Sequence, residues 1–159
     1  MNFSIVKRII GYVLVFVAVL MALPCIVAVI YQEREGWSFV ITAALCLLLG
    51  FLFMWKKPEN RVFYVKEGFV AVALSWIIMS VMGSLPFLIT GTITNPIDAV
   101  FETVSGFTTT GSSVLSDVEA VSKSVLFWRS FTHWIGGMGV LVFLLSLLHM
   151  TGGGSHINL

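Results

Sequence analysis

The sequence predicts an all-α membrane protein. It reads as two accessory transmembrane helices followed by one unit of spanning helix, short helix, polar loop and spanning helix. Three observations predict this. The 159 residues are 58% hydrophobic and only 11% charged, with a mean hydropathy of +1.00, against roughly 25% charged in soluble domains. Four apolar runs are long enough to cross a hydrocarbon core, which takes about 20 residues. Between the third and fourth lies a run of Thr, Ser and Gly, "FETVSGFTTTGSSVL", at 101–115.

The first helix is expected over 9–30, after the basic flank of Lys7 and Arg8, and bent at Pro24. The run exceeds a signal-peptide core and no A-x-A site follows, so it reads as an uncleaved span. After the link "YQEREGW" comes a second helix over 37–55 and the basic loop "KKPENRVFYVK". A third helix is expected over 67–90 and a fourth over 123–150. Basic residues favour the cytoplasmic side. Lys7, Arg8, Lys56, Lys57, Arg61 and Lys66 therefore place the N-terminus and the 56–66 loop in the cytoplasm, and the 91–122 segment outside.

Within that outer segment, "TNPIDAVFETVSGF" has the marks of a short helix. Asn95 suits the N-cap, Pro96 the first helical position and Asp98 the first turn, and Gly106 is expected to stop the helix. A helix over 96–105 is about 15 Å long, half a bilayer. It therefore lies at the surface or dips in and returns. The following "TTTGSS" suits a re-entrant loop. The helix C-terminus carries about half a negative charge, and backbone carbonyls can replace the water around an ion. Gly111 permits the positive φ such a loop needs, which β-branched Thr does not. The competing reading is an ordinary polar outer loop.

Some classes are excluded. A net charge of +1 with no basic cluster gives no nucleic-acid surface. "TGGGS" lacks the lysine and strand of a phosphate loop. His149 and His156 lack further metal ligands at useful spacing. No Ser/His/Asp or Cys/His set suggests catalysis, so no enzyme and no cofactor are expected. Cys25 and Cys46 sit in apolar runs and read as small buried hydrophobes.

"VFETVSGFTTTGSSVL", "FWRSFTHWIGGMGVLV" and "TGGGSHI" together resemble the first repeat of the Trk/Ktr/HKT superfamily of potassium uptake proteins, of the bacterial Trk membrane subunit type. The resemblance covers essentially the whole chain. It implies an accessory helix pair at 1–62 and, at 63–159, one helix–pore-helix–filter loop–helix repeat, similar to a potassium-channel subunit. Carried over, Thr109, Thr110 and Gly111 offer backbone carbonyls to potassium, the transported ion, and Thr108 and Ser112 flank the filter. The family has four such repeats and this chain has one, so the sequence reads as an N-terminal part whose remaining repeats, or other copies, complete the ring. The alternative is a truncated, non-conducting membrane or assembly segment. The resemblance further implies a bacterial cytoplasmic (inner) membrane, a homodimer of the full protein and a cytoplasmic nucleotide-binding regulatory subunit.

Around this loop, Arg129 and His133 share a face of the fourth helix. Either Arg129 pairs with a carboxylate such as Glu102 and braces the short helix, or both side chains snorkel to the interface. The "GGMG" of Gly136, Gly137 and Gly139 reads as close helix packing ahead of a hinge. Trp37, Trp55, Trp128 and Trp134 read as an interfacial belt.

Overall fold

The computed structural model describes residues 2–57 and 64–152. Every regular element among them is helical. The order is α1 (Phe3–Leu20), α2 (Ala22–Ile30), α3 (Gly36–Met54), α4 (Val65–Ile89), α5 (Pro96–Phe107) and α6 (Lys123–Gly152). Three stretches of the described residues are long and apolar enough to cross a membrane: Phe3–Ile30, Gly36–Met54 and Val65–Ile89. At 30 residues, α6 reaches about 45 Å and is long enough to span as well. The chain is an all-α membrane protein.

The first span begins earlier than its apolar run. Lys7 and Arg8 lie inside α1, and Arg8 leans on Tyr12, its guanidinium carbon 5.9 Å from the ring centre. Long basic side chains reach polar surroundings from within a helix end, so the charge does not stop the helix. The bend falls where Pro24 requires it. Proline supplies no N–H and crowds the carbonyl four residues back; that residue is Leu20, the last of α1, and Met21 joins α1 to α2.

α1 packs along α3, with Gly11 and Gly50 at the crossing. A Cβ on Gly11 would lie 2.9 Å from the Gly50 carbonyl oxygen, so the two backbones touch as small residues in membrane helices allow. α4 packs on both α1 and α5, and α6 packs on α5 and α2. The shared core contains Leu14, Val17, Met21, Phe39, Phe87, Phe107 and Trp128, all nearly inaccessible. Exposed Phe16, Val19, Leu48, Phe51, Leu52 and Leu141 give the apolar outer surface that lipid covers.

Trp128 departs from the belt reading. It is fully buried. Its indole N–H donates to the Gly83 carbonyl at 3.0 Å, and its ring meets Phe39 edge-on at 6.1 Å. An indole needs one hydrogen-bond partner to be buried, and α4 supplies it. Trp37, Trp55 and Trp134 are exposed. Cys46 is buried and Cys25 partly so, both as free thiols. His149 lies in α6, its side chain outside the described set, and His156 falls outside the described residues. Among the described residues no cluster of metal-ligating side chains occurs.

Candidate functional site

α5 starts as its sequence demands. The Asn95 side-chain oxygen accepts the Ile97 N–H at 2.9 Å, Pro96 opens the helix and Asp98 sits in the first turn. Its twelve residues rise about 18 Å, too short to cross a membrane. Ala99, Glu102, Thr103, Ser105, Gly106 and Phe107 are buried between α4 and α6.

Gly106 does not end the helix, which continues to Phe107. Its role is close approach: a Cβ there would collide with the Thr132 side chain of α6. Opposite, a Cβ on Gly136 would strike the Phe107 carbonyl. The two glycines let α5 and α6 pack backbone to side chain and backbone to backbone. Gly139 faces Trp76 of α4, where an added Cβ would rest in ordinary contact, 3.4 Å from the ring. Close packing is therefore the observed use of Gly106 and Gly136.

The helix ends in a Schellman turn. The Thr110 N–H donates to the Ser105 carbonyl and the Thr109 N–H to the Gly106 carbonyl, both at 2.9 Å. This turn requires a left-handed residue, and Thr109 takes that place at φ +58. The expectation that threonine would avoid positive φ fails here. A β-branched residue in that region is strained, and surrounding contacts must hold it. The contacts are visible: Thr108 Oγ1 donates to the Val104 carbonyl at 2.7 Å, and Thr109 Oγ1 to the Thr108 carbonyl at 2.7 Å. Thr108 and Thr110 hydroxyls meet at 2.8 Å. Gly111 follows at φ +81 with open space where a Cβ would project.

Beyond the turn, two side chains of α5 tie the chain down. Ser105 Oγ donates to the Ser112 carbonyl at 2.6 Å. Glu102 is 2% exposed, and its Oε2 accepts the Val114 N–H at 2.9 Å. The Ser113 hydroxyl reaches both carboxylate oxygens, at 3.0 and 3.1 Å. Arg129 of α6 completes the site, its Nε donating to Glu102 Oε1 at 2.6 Å. His133 instead bonds the Arg129 carbonyl of its own helix at 2.9 Å and does not reach the loop.

Thr108 to Ser113 are exposed. Among the described residues, no donor reaches the carbonyl oxygens of Thr109, Thr110 or Gly111. The structure thus brings Thr108–Ser112, Glu102 and Arg129 into one assembly at the C-terminal end of α5. Sequence reasoning missed Ser105, Ser113 and Thr132. Ser105 and Thr132 lie inside helices, where serine and threonine give no signal of a distant partner.

A half-length helix held between two longer ones, ending in a braced polar loop, marks the chain as an all-α membrane protein with a short helix packed among its spans. Comparison with known proteins makes this specific. Residues 35–157 match the TrkH family of cation transport proteins. The Trk system potassium uptake protein TrkH of Salmonella typhimurium is 35% identical over 97% of this chain and 32% of its own length. An uncharacterized cation transporter of Methanocaldococcus jannaschii is 36% identical over 92% of this chain and 31% of its own. The crystal structure of the potassium transporter TrkH from Vibrio parahaemolyticus superposes with a TM-score of 0.86 at 34% identity, over 99% of this chain and 34% of that one. The chain belongs to the TrkH cation transport family. It spans about a third of the length of these relatives.

Proposed function

We propose that this chain supplies one of four loops that form a potassium-selective filter, with the backbone carbonyls of Thr109, Thr110 and Gly111 facing the ion and Thr108 and Ser112 flanking it. The observation that carries the reading is the set of undonated carbonyls at the C-terminal end of a buried half-length helix. Carbonyl rings replace an ion's hydration shell, and the helix end adds negative potential. One loop gives a quarter of such a ring, so three more must come from further repeats or further copies. The names of the relatives, potassium uptake proteins, support potassium as the transported ion.

The mechanism follows from these parts. Potassium sheds water onto the carbonyls and moves down its electrochemical gradient, while Glu102 and Arg129 hold the loop's exit strand in register. The resemblance extends the proposal to a bacterial inner membrane with a cytoplasmic N-terminus and to a division at 1–62 and 63–159. It also extends it to a homodimer and a cytoplasmic nucleotide-binding regulatory subunit.

The test is rubidium uptake in cells stripped of their own potassium uptake systems, with the chain expressed from its own genomic locus. Gly111→Asp places a charged Cβ substituent at φ +81, where only glycine is comfortable. Uptake lost in Gly111→Asp, at equal abundance in the membrane, is the expected result. Uptake equal in both, or absent from the unmodified chain while the protein sits in the membrane, overturns the filter reading and leaves a non-conducting membrane segment.

A further inference from the structure

Beyond helix packing, the N-terminal spans meet the start of α6 through a carboxylate in the link between α2 and α3. Glu33 Oε1 accepts the Lys123 N–H at 2.6 Å, and Oε2 accepts the Ser124 N–H at 2.9 Å. These are the first two N–H groups of α6, which an α-helix cannot satisfy internally. The residue preceding a helix ordinarily caps such groups. Here that residue is Ser122, and its hydroxyl is buried without a partner among the described residues. The cap comes instead from 90 residues earlier in the chain.

Glu33 is held rigidly for this. α2 ends in its own Schellman turn: the Glu33 N–H donates to the Ala28 carbonyl at 2.9 Å and the Gln32 N–H to Val29 at 3.2 Å. Gln32 occupies the left-handed position at φ +54. A strained backbone with a fixed carboxylate at its end is a device for placing that carboxylate. From the cap, α6 runs to Arg129, which grips Glu102, which grips Ser113 and Val114 beside the loop.

We infer that Glu33 is a positioning residue for the ion-coordinating loop: the N-terminal hairpin fixes the start of α6 through its carboxylate, and α6 passes that position to the loop through Arg129 and Glu102. The inference rests on the filter reading above. It gives the first two spans a task in ion selection that membrane anchoring alone does not require.

The experiment separates tethering from mere capping. Glu33→Gln removes the charge at similar size. Adding Ser122→Asp to it gives α6 a cap of its own, with no tie to the hairpin. Glu33→Asp keeps the charge on a shorter arm. Each is made in the protein expressed from its own locus, and potassium, rubidium and sodium uptake are measured with membrane abundance. The double variant is expected to reach unmodified abundance yet lose potassium-over-sodium preference by about tenfold, the scale of one lost charge-assisted contact. Glu33→Asp is expected to keep part of that preference. Preference restored in full by Ser122→Asp, or unchanged in Glu33→Gln, overturns the inference. Gly111→Asp, run alongside, tells the two failures apart: if it abolishes uptake while the Glu33 variants keep their preference, only the tether falls.

Discussion

Glu102 receives the Arg129 guanidinium on one oxygen and the Val114 N–H on the other, with the Ser113 hydroxyl shared between them. Its side chain is 1% exposed, that of Arg129 17%. A buried carboxylate deprived of its partner retains the desolvation cost without the attraction. Arg129→Met is therefore expected to destabilise the protein by about 3 kcal/mol. Glu102→Gln added to it should recover a sizeable part, because the stranded charge is gone. Thermal unfolding of the detergent-solubilised assembly measures both, and equal loss in the single and double variants would refute the coupling. The sequence left this pair open between bracing and snorkelling. Helix spacing shows which residues share a face, but a partner on another helix is set by tertiary packing. Thr109 was misjudged for a related reason. Propensity disfavours threonine at φ +58, and only the hydroxyl contacts of Thr108 and Thr109 explain its tolerance there.

Among the elements, α5 was the most legible. Asn95, Pro96 and Asp98 are local signals acting within one turn, and the helix starts where they place it. Its end was not legible, because a glycine that stops a helix and a glycine that admits a neighbour look alike in sequence. The neighbour of Gly106 is Thr132, on another helix. Trp128 was misread likewise, since its indole partner is the Gly83 carbonyl of α4. The α5–α6 contact yields a paired prediction. Gly136→Ala should destabilise by about 2 kcal/mol or more, as its Cβ meets backbone that cannot step aside. Gly137→Ala should be neutral or stabilise by up to about 1 kcal/mol, since the nearest atom, Thr109 Cγ2, is 3.9 Å away. The same unfolding assay ranks them, and a reversed order would contradict the packing described.

For the molecule as a whole, the Glu33 cap predicts an acid limit. Burial alone would raise the Glu33 carboxyl, but the N–H groups of Ser124 and Lys123 and the Lys123 charge outweigh it and hold it below the usual range. Arg34 and Glu35 flank it within its own link. A lowered carboxyl contributes stability that is complete above its unfolded value and lost as pH falls through its folded one. Unfolding temperature should therefore drop as pH falls below the ordinary carboxylate range, with a shallower drop in Glu33→Gln. Identical pH profiles would show that this carboxylate is not linked to folding. The fold class was readable because composition and four apolar runs act over the entire chain. The Glu33 cap of α6 was not, because it joins residues 90 positions apart.

The brace of the loop has a consequence for biosynthesis. Glu102, Ser105, Ser113 and Arg129 all lie within about thirty residues, and Gly136 closes the packing soon after. As the chain leaves the ribosome, everything needed to shape this loop is in the membrane once α6 has been inserted. In the proposed filter, completing the ring then becomes the docking of loops already shaped.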